Sequence, residues 1–392
     1  MLKQKAIKEL LIVVEHMNLG GTEKSLLAFL NEIKDRRDLK IKLLLIKPGG
    51  ELYDKIPEGI EVEILKDYFE FKKQTEEIST NGITGLIKNL KIFRVFKALY
   101  FYLKIKLTQK WYFLYEYPDV ELQKFKTDLA IAFSGPQYFI TWFTIHNISA
   151  NKKIQWIHFD VSKIKAEYDF GELYYPKFDR IYCVSKSAFD AFVKRYPGAE
   201  KKAAVFENIV SESEITKLAE EGKSFSDDFK GLRILTVGRL SKEKGQLMIP
   251  EVVRRLKNEG LNFRWYLIGD GSQKSQIESE IKKLGIENEL ILTGSQINPY
   301  PFFKDCELYV QTSFEEGYGL TLHEAKIFEK PVISTNFPSA YEILTENEDG
   351  LLVKMNPDEI YKAVSDLIKN EKKRNRLEKF CKKESAIKEI EF

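Results

Sequence analysis

Ser313-Phe-Glu-Glu-Gly-Tyr-Gly-Leu-Thr-Leu-His-Glu-Ala325 is the stretch on which the reading of this chain turns. It follows the short apolar run Leu308–Gln311 and opens a helical segment reaching about Phe328, the strand–loop–helix order of a parallel α/β sheet. Gly317 and Gly319, on either side of Tyr318, let the backbone turn tightly and come close to a ligand. The amides of Leu320 and Thr321 would then point outward from a helix start, a ready anion site. Glu316 lies in the loop and Glu324 about one turn into the helix, and such a pair of carboxylates suits vicinal hydroxyls. A glycine-rich loop with acids on a solvated helix surface would read the same way, so the segment alone leaves both readings open.

Working outward, a second loop follows a strand in the same half: Val237-Gly-Arg-Leu-Ser-Lys-Glu-Lys-Gly245. Arg239 and Lys244 flank its turn, and both could reach a diphosphate from one side. A guanidinium and an ammonium together would offset the charge building on a leaving phosphate. Apolar runs alternate with helix-periodic segments along the whole chain, which predicts parallel sheets covered by helices. Candidate strands are Leu10–Glu15, Ile41–Ile46, Leu129–Phe133, Ile154–His158 and Arg180–Val184, then Arg233–Val237, Phe263–Ile268, Leu290–Leu292, Leu308–Gln311 and Val332–Ser334. The polar stretch Ser211–Gly231 separates the two sets, placing the domain connection around Asn208–Lys230.

The chain has 392 residues, 43% apolar and 31% charged, with a net charge of +3. That length predicts two domains, and the near-neutral charge gives no case for nucleic-acid binding. Cys183, Cys306 and Cys381 are odd in number and far apart, with neither metal-ligand spacing nor a disulfide framework, which points to a reducing compartment. Leu10–Val14 is too brief for a signal peptide, and no stretch reaches the roughly 18 apolar residues of a membrane span. The expected location is the cytoplasm.

Taken together, the two loops resemble glycosyltransferase family 4, the "group 1" glycosyl transferases of GT-B fold. Their pattern of G-R-x(4)-K-G followed by E-G-x-G-x(4)-E-A is met here by Gly238, Arg239, Lys244 and Gly245, then Glu316, Gly317, Gly319, Glu324 and Ala325. The likeness covers most of Arg233–Val353, including Leu267-Ile-Gly-Asp-Gly271 and Pro331-Val-Ile333. It implies an α/β fold of two Rossmann-like doubly wound domains facing across a cleft. Residues 1–207 would form the acceptor-side domain, and 208–371 the nucleotide-sugar domain. A C-terminal helix, about 372–392, would pack back on the first domain.

The resemblance also implies residue roles. Arg239 and Lys244 would hold the donor diphosphate, Glu316 the donor sugar and Glu324 the ribose. Gly20 and Gly21, just past the first strand, would face the donor phosphates and acceptor. His158, ending the run from Ile154, would contact the donor sugar; a histidine satisfied by backbone hydrogen bonds at a strand end is the bland alternative. Gln296 and Ile297, after Thr293-Gly294, are candidates for the base. The chain departs from the pattern at Tyr318, where relatives often have Phe, and at Glu329, where a glycine commonly precedes Pro331.

The implied reaction is retaining transfer from a nucleotide sugar, a UDP-sugar by expectation, to a glycan, lipid-linked or protein acceptor in bacterial surface-polysaccharide synthesis. No Asp-x-Asp pair occurs, so neither metal nor other cofactor is expected. An epimerase or phosphorylase on a similar fold, or a non-catalytic partner subunit, are the rival readings.

One segment stands apart from this reading. Between Leu86 and Lys110, Leu86, Leu90, Phe93, Phe96, Tyr100, Leu103 and Leu107 recur at steps of three or four, with Lys88, Lys91, Arg94 and Lys106 mostly off the stripe. Such a helix either lies on anionic lipid, placing the protein at the inner face of the cell membrane, or packs its stripe on the N-terminal sheet.

Overall fold

A computed structural model describes residues 7–163 and 168–379. The chain divides into two compact units, one built chiefly from residues up to Phe206 and the other chiefly from Glu207 onward. The first unit carries strands β1 (Lys8–Val14), β2 (Leu39–Leu45), β3 (Glu61–Ile64), β4 (Phe125–Ala132), β5 (Ile148–Ile157), β6 (Arg180–Cys183) and β7 (Ala203–Val205). They form one sheet in the order β3-β2-β1-β4-β5-β6-β7, with every pairing parallel. In β1, Leu10 to Val14 are all buried, the continuous apolar run of a central strand covered on both faces.

The second unit carries β8 (Leu232–Val237), β9 (Phe263–Ile268), β10 (Leu290–Gly294), β11 (Leu308–Gln311), β12 (Val332–Thr335) and β13 (Gly350–Val353). Their order is β10-β9-β8-β11-β12-β13, again all parallel. The chain therefore winds outward in one direction from β8 and in the other from β11. The crevice at such a reversal, beyond the carboxyl ends of the two strands, is where ligands of doubly wound sheets bind. Two buried polar side chains of this core bond in series: the Trp265 indole N–H donates to Thr236 Oγ1 at 3.0 Å, and Thr236 donates to the Val310 carbonyl at 2.6 Å.

The expected strands lie where the apolar runs place them, and β3, β7 and β13 are added at or near the sheet edges. The stretch expected to be a bare connection is largely built into the second unit. Its helix Glu212–Glu221 buries Ile215 and Ala219 in the same apolar cluster as Tyr300 and Phe302, and Asn298 donates to the Leu218 carbonyl at 2.6 Å. Further on, Asp227 accepts from Arg233 at 3.0 Å and pairs with Arg264 at 3.2 Å. Asp227, in a stretch that reads as a solvated linker, thus anchors the entry to β8.

The described part of the C-terminal helix, Glu371–Lys379, belongs to the second unit's core through buried Leu377, and Arg374 donates to the Leu367 carbonyl at 2.7 Å. The remainder of the helix expected at about 372–392 lies outside the described residues, as does Cys381. Cys183 and Cys306 are buried free thiols, and burial pushes both up to about 12.

The basic, aromatic segment departs from one of its two expectations. It forms two helices, Thr80–Lys88 and Ile92–Thr108. Leu86 is buried, but Leu90, Phe93, Phe96, Tyr100, Leu103 and Leu107 are exposed, so the stripe does not pack on the sheet. The inward side of the longer helix is instead Val95, Ala98, Phe101, Tyr102 and Ile105, packed with Phe113, Leu114 and Tyr117. Among the described residues no helix is long and apolar enough to cross a membrane.

Candidate active site in the second unit

The Gly238–Gly245 loop leaves β8, and the loop Thr312–Gly319 leaves β11, the two strands at the reversal. The chain closes the first loop against the second. The Phe314 amide donates to the Glu243 carbonyl at 2.8 Å, and the Thr312 hydroxyl donates to the Lys244 carbonyl at 2.9 Å. Gly245 has φ +66°, and a Cβ on it would lie 2.2 Å from the Thr312 carbonyl oxygen. Only glycine satisfies both the left-handed backbone and the close approach.

This closure brings Lys244 to Glu316, with Nζ donating to Oε1 at 2.5 Å. The same oxygen accepts from Gln311 Nε2 and from the Ser313 hydroxyl, each at 2.7 Å. Gln311 is itself fixed, because its Oε1 accepts from Tyr309 at 2.8 Å and from Thr321 at 2.7 Å. Glu316 is thus a carboxylate with three donors converging on one oxygen, and its rotamer is set before any ligand arrives. Arg239 at the loop's start is exposed and makes no ion pair among the described residues. Its charge, with that of Lys244, acts on Glu243: burial raises that carboxyl, but the Ser241 hydroxyl, the Glu243 amide and the two cations outweigh it and hold it low.

Gly319 has φ +77° and caps the helix Leu320–Ile327. Leu322 N already bonds to the Gly319 carbonyl at 2.9 Å, which leaves the Leu320 and Thr321 amides as the helix-start donors without an intrahelical acceptor. Tyr318 stacks on His323, with ring centroids 4.4 Å apart and planes 12° from parallel. Burial, with help from Lys326, lowers His323 to about 3. Glu324 is buried and accepts from the Tyr300 hydroxyl at 3.2 Å. That phenol is pushed well up, by burial first and by Glu324 second.

Of the residues expected from sequence, Gly238, Arg239, Lys244, Glu316, Gly317, Tyr318, Gly319, Leu320, Thr321 and Glu324 lie in or directly beside these two loops. Gln296 and Ile297 follow β10 at the sheet's edge; Gln296 donates to the Thr293 carbonyl at 3.4 Å and Ile297 is exposed.

Gly20, Gly21 and His158 belong to the first unit. Gly20 caps the helix Gly21–Ile33 that follows β1. His158 follows β5, its amide donating to the Gly135 carbonyl at 3.0 Å. Its ring packs against Phe133 at 4.8 Å, Nε2 is buried without a hydrogen-bond partner, and burial lowers it to about 3. It is a neutral imidazole at physiological pH. Gln311, Ser313, Tyr309 and Tyr300 were missed by sequence reasoning. A glutamine closing an apolar strand just before a glycine loop is the one signal that could have found Gln311.

A doubly wound second unit with cationic and acidic loops at its reversal point, following a first unit of the same build, is the architecture of the GT-B fold. Residues 221–384 match the family described as glycosyl transferases group 1. The chain is 29% identical over 204 residues to a 4-alpha-N-acetylgalactosaminyltransferase of Campylobacter jejuni whose named substrate is an N-acetylgalactosamine-N,N'-diacetylbacillosaminyl-diphospho-undecaprenol. It is also 29% identical over 139 residues to the 2-deoxystreptamine N-acetyl-D-glucosaminyltransferase of Niallia circulans. These matches cover 52% and 34% of this chain, and the chain spans 54% and 36% of the relatives' own lengths. The fold is shared with Anabaena HepE, solved in complex with UDP-glucose: TM-score 0.67, 16% identity, 95% of this chain and 93% of that one.

Proposed function

We propose that this protein is a retaining glycosyltransferase that moves a hexose or N-acetylhexosamine from a nucleoside-diphosphate sugar, a UDP-sugar in the first instance, to a glycan or lipid-linked acceptor. The observation that carries the reading is the convergence at the β8/β11 reversal. Lys244 is held on Glu316 beside a helix start that presents two amides, and Arg239 stands exposed on the same loop. Cations and oriented amides stabilise a departing diphosphate without a metal ion, because they supply fixed positive charge where negative charge develops. Glu316 and Glu324 offer carboxylates to hydroxyls of the donor. The bacterial transferases named above support the acceptor class, since one of them is named for a lipid-linked substrate.

The test is a panel of nucleotide sugars and free nucleoside diphosphates screened by thermal shift in EDTA. Product analysis with lipid-linked and soluble glycan acceptors then follows. A UDP-sugar should raise the melting temperature most, because ligands of the native state stabilise it, and the product should be an axial (α) glycoside from an α-linked donor. No shift with any activated sugar, or a free epimer as sole product, would refute the reading.

A further inference from the structure

The exposed stripe on the first unit is not used by this chemistry. Phe93 is 91% exposed, and Leu90 and Leu107 are each 82% exposed. With Ile87, Ile92, Phe96, Leu99, Tyr100 and Leu103 they make one run of large apolar side chains open to water along both helices. Scattered exposed leucines need no explanation, but a contiguous face of this extent marks a binding surface. The inward side of the longer helix is already satisfied by its own apolar packing, so the outward side is surplus to folding. Leu90, at the bend between the helices, holds φ +56°, an unfavourable backbone for a bulky residue that gains no burial there.

Charge decides the occupant. From Ile78 to Tyr115 the chain has no acidic residue, while Lys88, Lys91, Arg94, Lys97, Lys104, Lys106 and Lys110 are basic. Four are engaged from neighbouring segments: Arg94 by Glu77, Lys97 by Asp119, Lys104 by Glu116 and Lys110 by Asp169. Lys88, Lys91 and Lys106 are exposed and make no ion pair among the described residues. A second copy would bring the same lysines against each other in a two-fold pairing. An anionic bilayer surface instead meets both features, with acyl chains for the aromatic and aliphatic stripe and headgroups for the lysines.

We propose that the helices Thr80–Lys88 and Ile92–Thr108 dock this protein on an anionic lipid surface, lying in the interface without crossing it. The surface lies wholly in the first unit, and its test requires neither donor nor acceptor, so it stands or falls separately from the transferase reading.

The experiment is co-sedimentation of the full chain with phosphatidylcholine vesicles, with and without about 30% phosphatidylglycerol, at low and high salt. Binding should require the anionic lipid and weaken in high salt. One lysine near such a surface is worth about five-fold in binding, so K88Q/K91Q/K106Q should weaken it roughly 100-fold. F93S/F96S should abolish retention. Both variants alter exposed side chains and should melt with the parent, which separates lost docking from lost folding. Equal binding to neutral vesicles, no binding, or unchanged binding by the lysine variant overturns the proposal. So does a dimer, seen by light scattering and dissolved by F93S/F96S, in a protein that ignores vesicles.

Discussion

Arg239→Ala and Lys244→Ala should separate ligand binding from stability, because the two cations are held so differently. Arg239 is exposed and reaches its neighbours only through its charge on Glu243, so its loss should change stability by no more than about 0.5 kcal/mol. The Lys244 side chain retains only 25% of its exposure and Glu316 only 11%, and they pair at 2.5 Å. Two unit charges about 4 Å apart at an effective dielectric constant near 20 attract by about 4 kcal/mol. Desolvation consumes part of that, and Gln311 and Ser313 still serve the carboxylate after Lys244 is gone. The net cost should be about 1–2 kcal/mol, a fall in melting temperature of roughly 2–8 °C.

Binding should respond otherwise. On the proposed function, each variant would remove a charge-assisted bond to a diphosphate worth about 1.5–3 kcal/mol, hence roughly 10- to 150-fold in affinity. Titration calorimetry with UDP and thermal denaturation of both variants read the two quantities independently. Parent-like UDP affinity in both would refute the convergence of the two cations on a diphosphate. Parent-like stability of Lys244→Ala would refute the Lys244–Glu316 pair.

Two further outcomes follow from the geometry. Gly245→Ala and Gly260→Ala face similar backbones, φ +66° and +72°, but a Cβ at Gly245 meets the Thr312 carbonyl at 2.2 Å whereas at Gly260 nothing lies within 4 Å. Both should lose about 1 kcal/mol for the left-handed backbone, and Gly245→Ala about 2 kcal/mol more in urea denaturation; equal losses would contradict the loop closure. His158 is lowered by burial to about 3, below its unfolded value of about 6.5. The unfolded chain therefore binds the extra proton first, and the contribution is full above pH 6.5 and lost as pH falls toward 3. Between pH 6.5 and 5 it should cost the parent about 2 kcal/mol, a loss absent in His158→Gln. The same pH dependence in both proteins would show that the ring is solvated.

The sheets were legible where strands are long and apolar, as in Leu10–Val14. Edge strands were not: Glu61-Val-Glu-Ile64 alternates charge with aliphatics and Ala203-Ala-Val205 is too short; nor was the start of the inner strand β5, where Ile148 to Lys153 are mostly polar and are held by parallel pairing to β4. The charged loops could be read because their glycines and cations sit at fixed spacings just after strands. The three donors on Glu316 could not, since they come from Gln311, Ser313 and Lys244, whose meeting depends on tertiary closure. Periodicity found an apolar stripe on the helix Ile92–Thr108 but could not choose its direction. That helix is apolar on two sides, and Val95, Ala98, Phe101, Tyr102 and Ile105 took the interior.

The charge-bearing loops leave the two middle strands of the second sheet, while Gln296 and Ile297 hang from its margin after β10. The rim and the charged loops are therefore mechanically separable: an insertion near Ile297 shifts a margin that, among the described residues, shares no hydrogen bond with Lys244 or Glu316. A lineage could exchange that rim, and under the proposed function the molecule it would admit, while the central apparatus stays as it is.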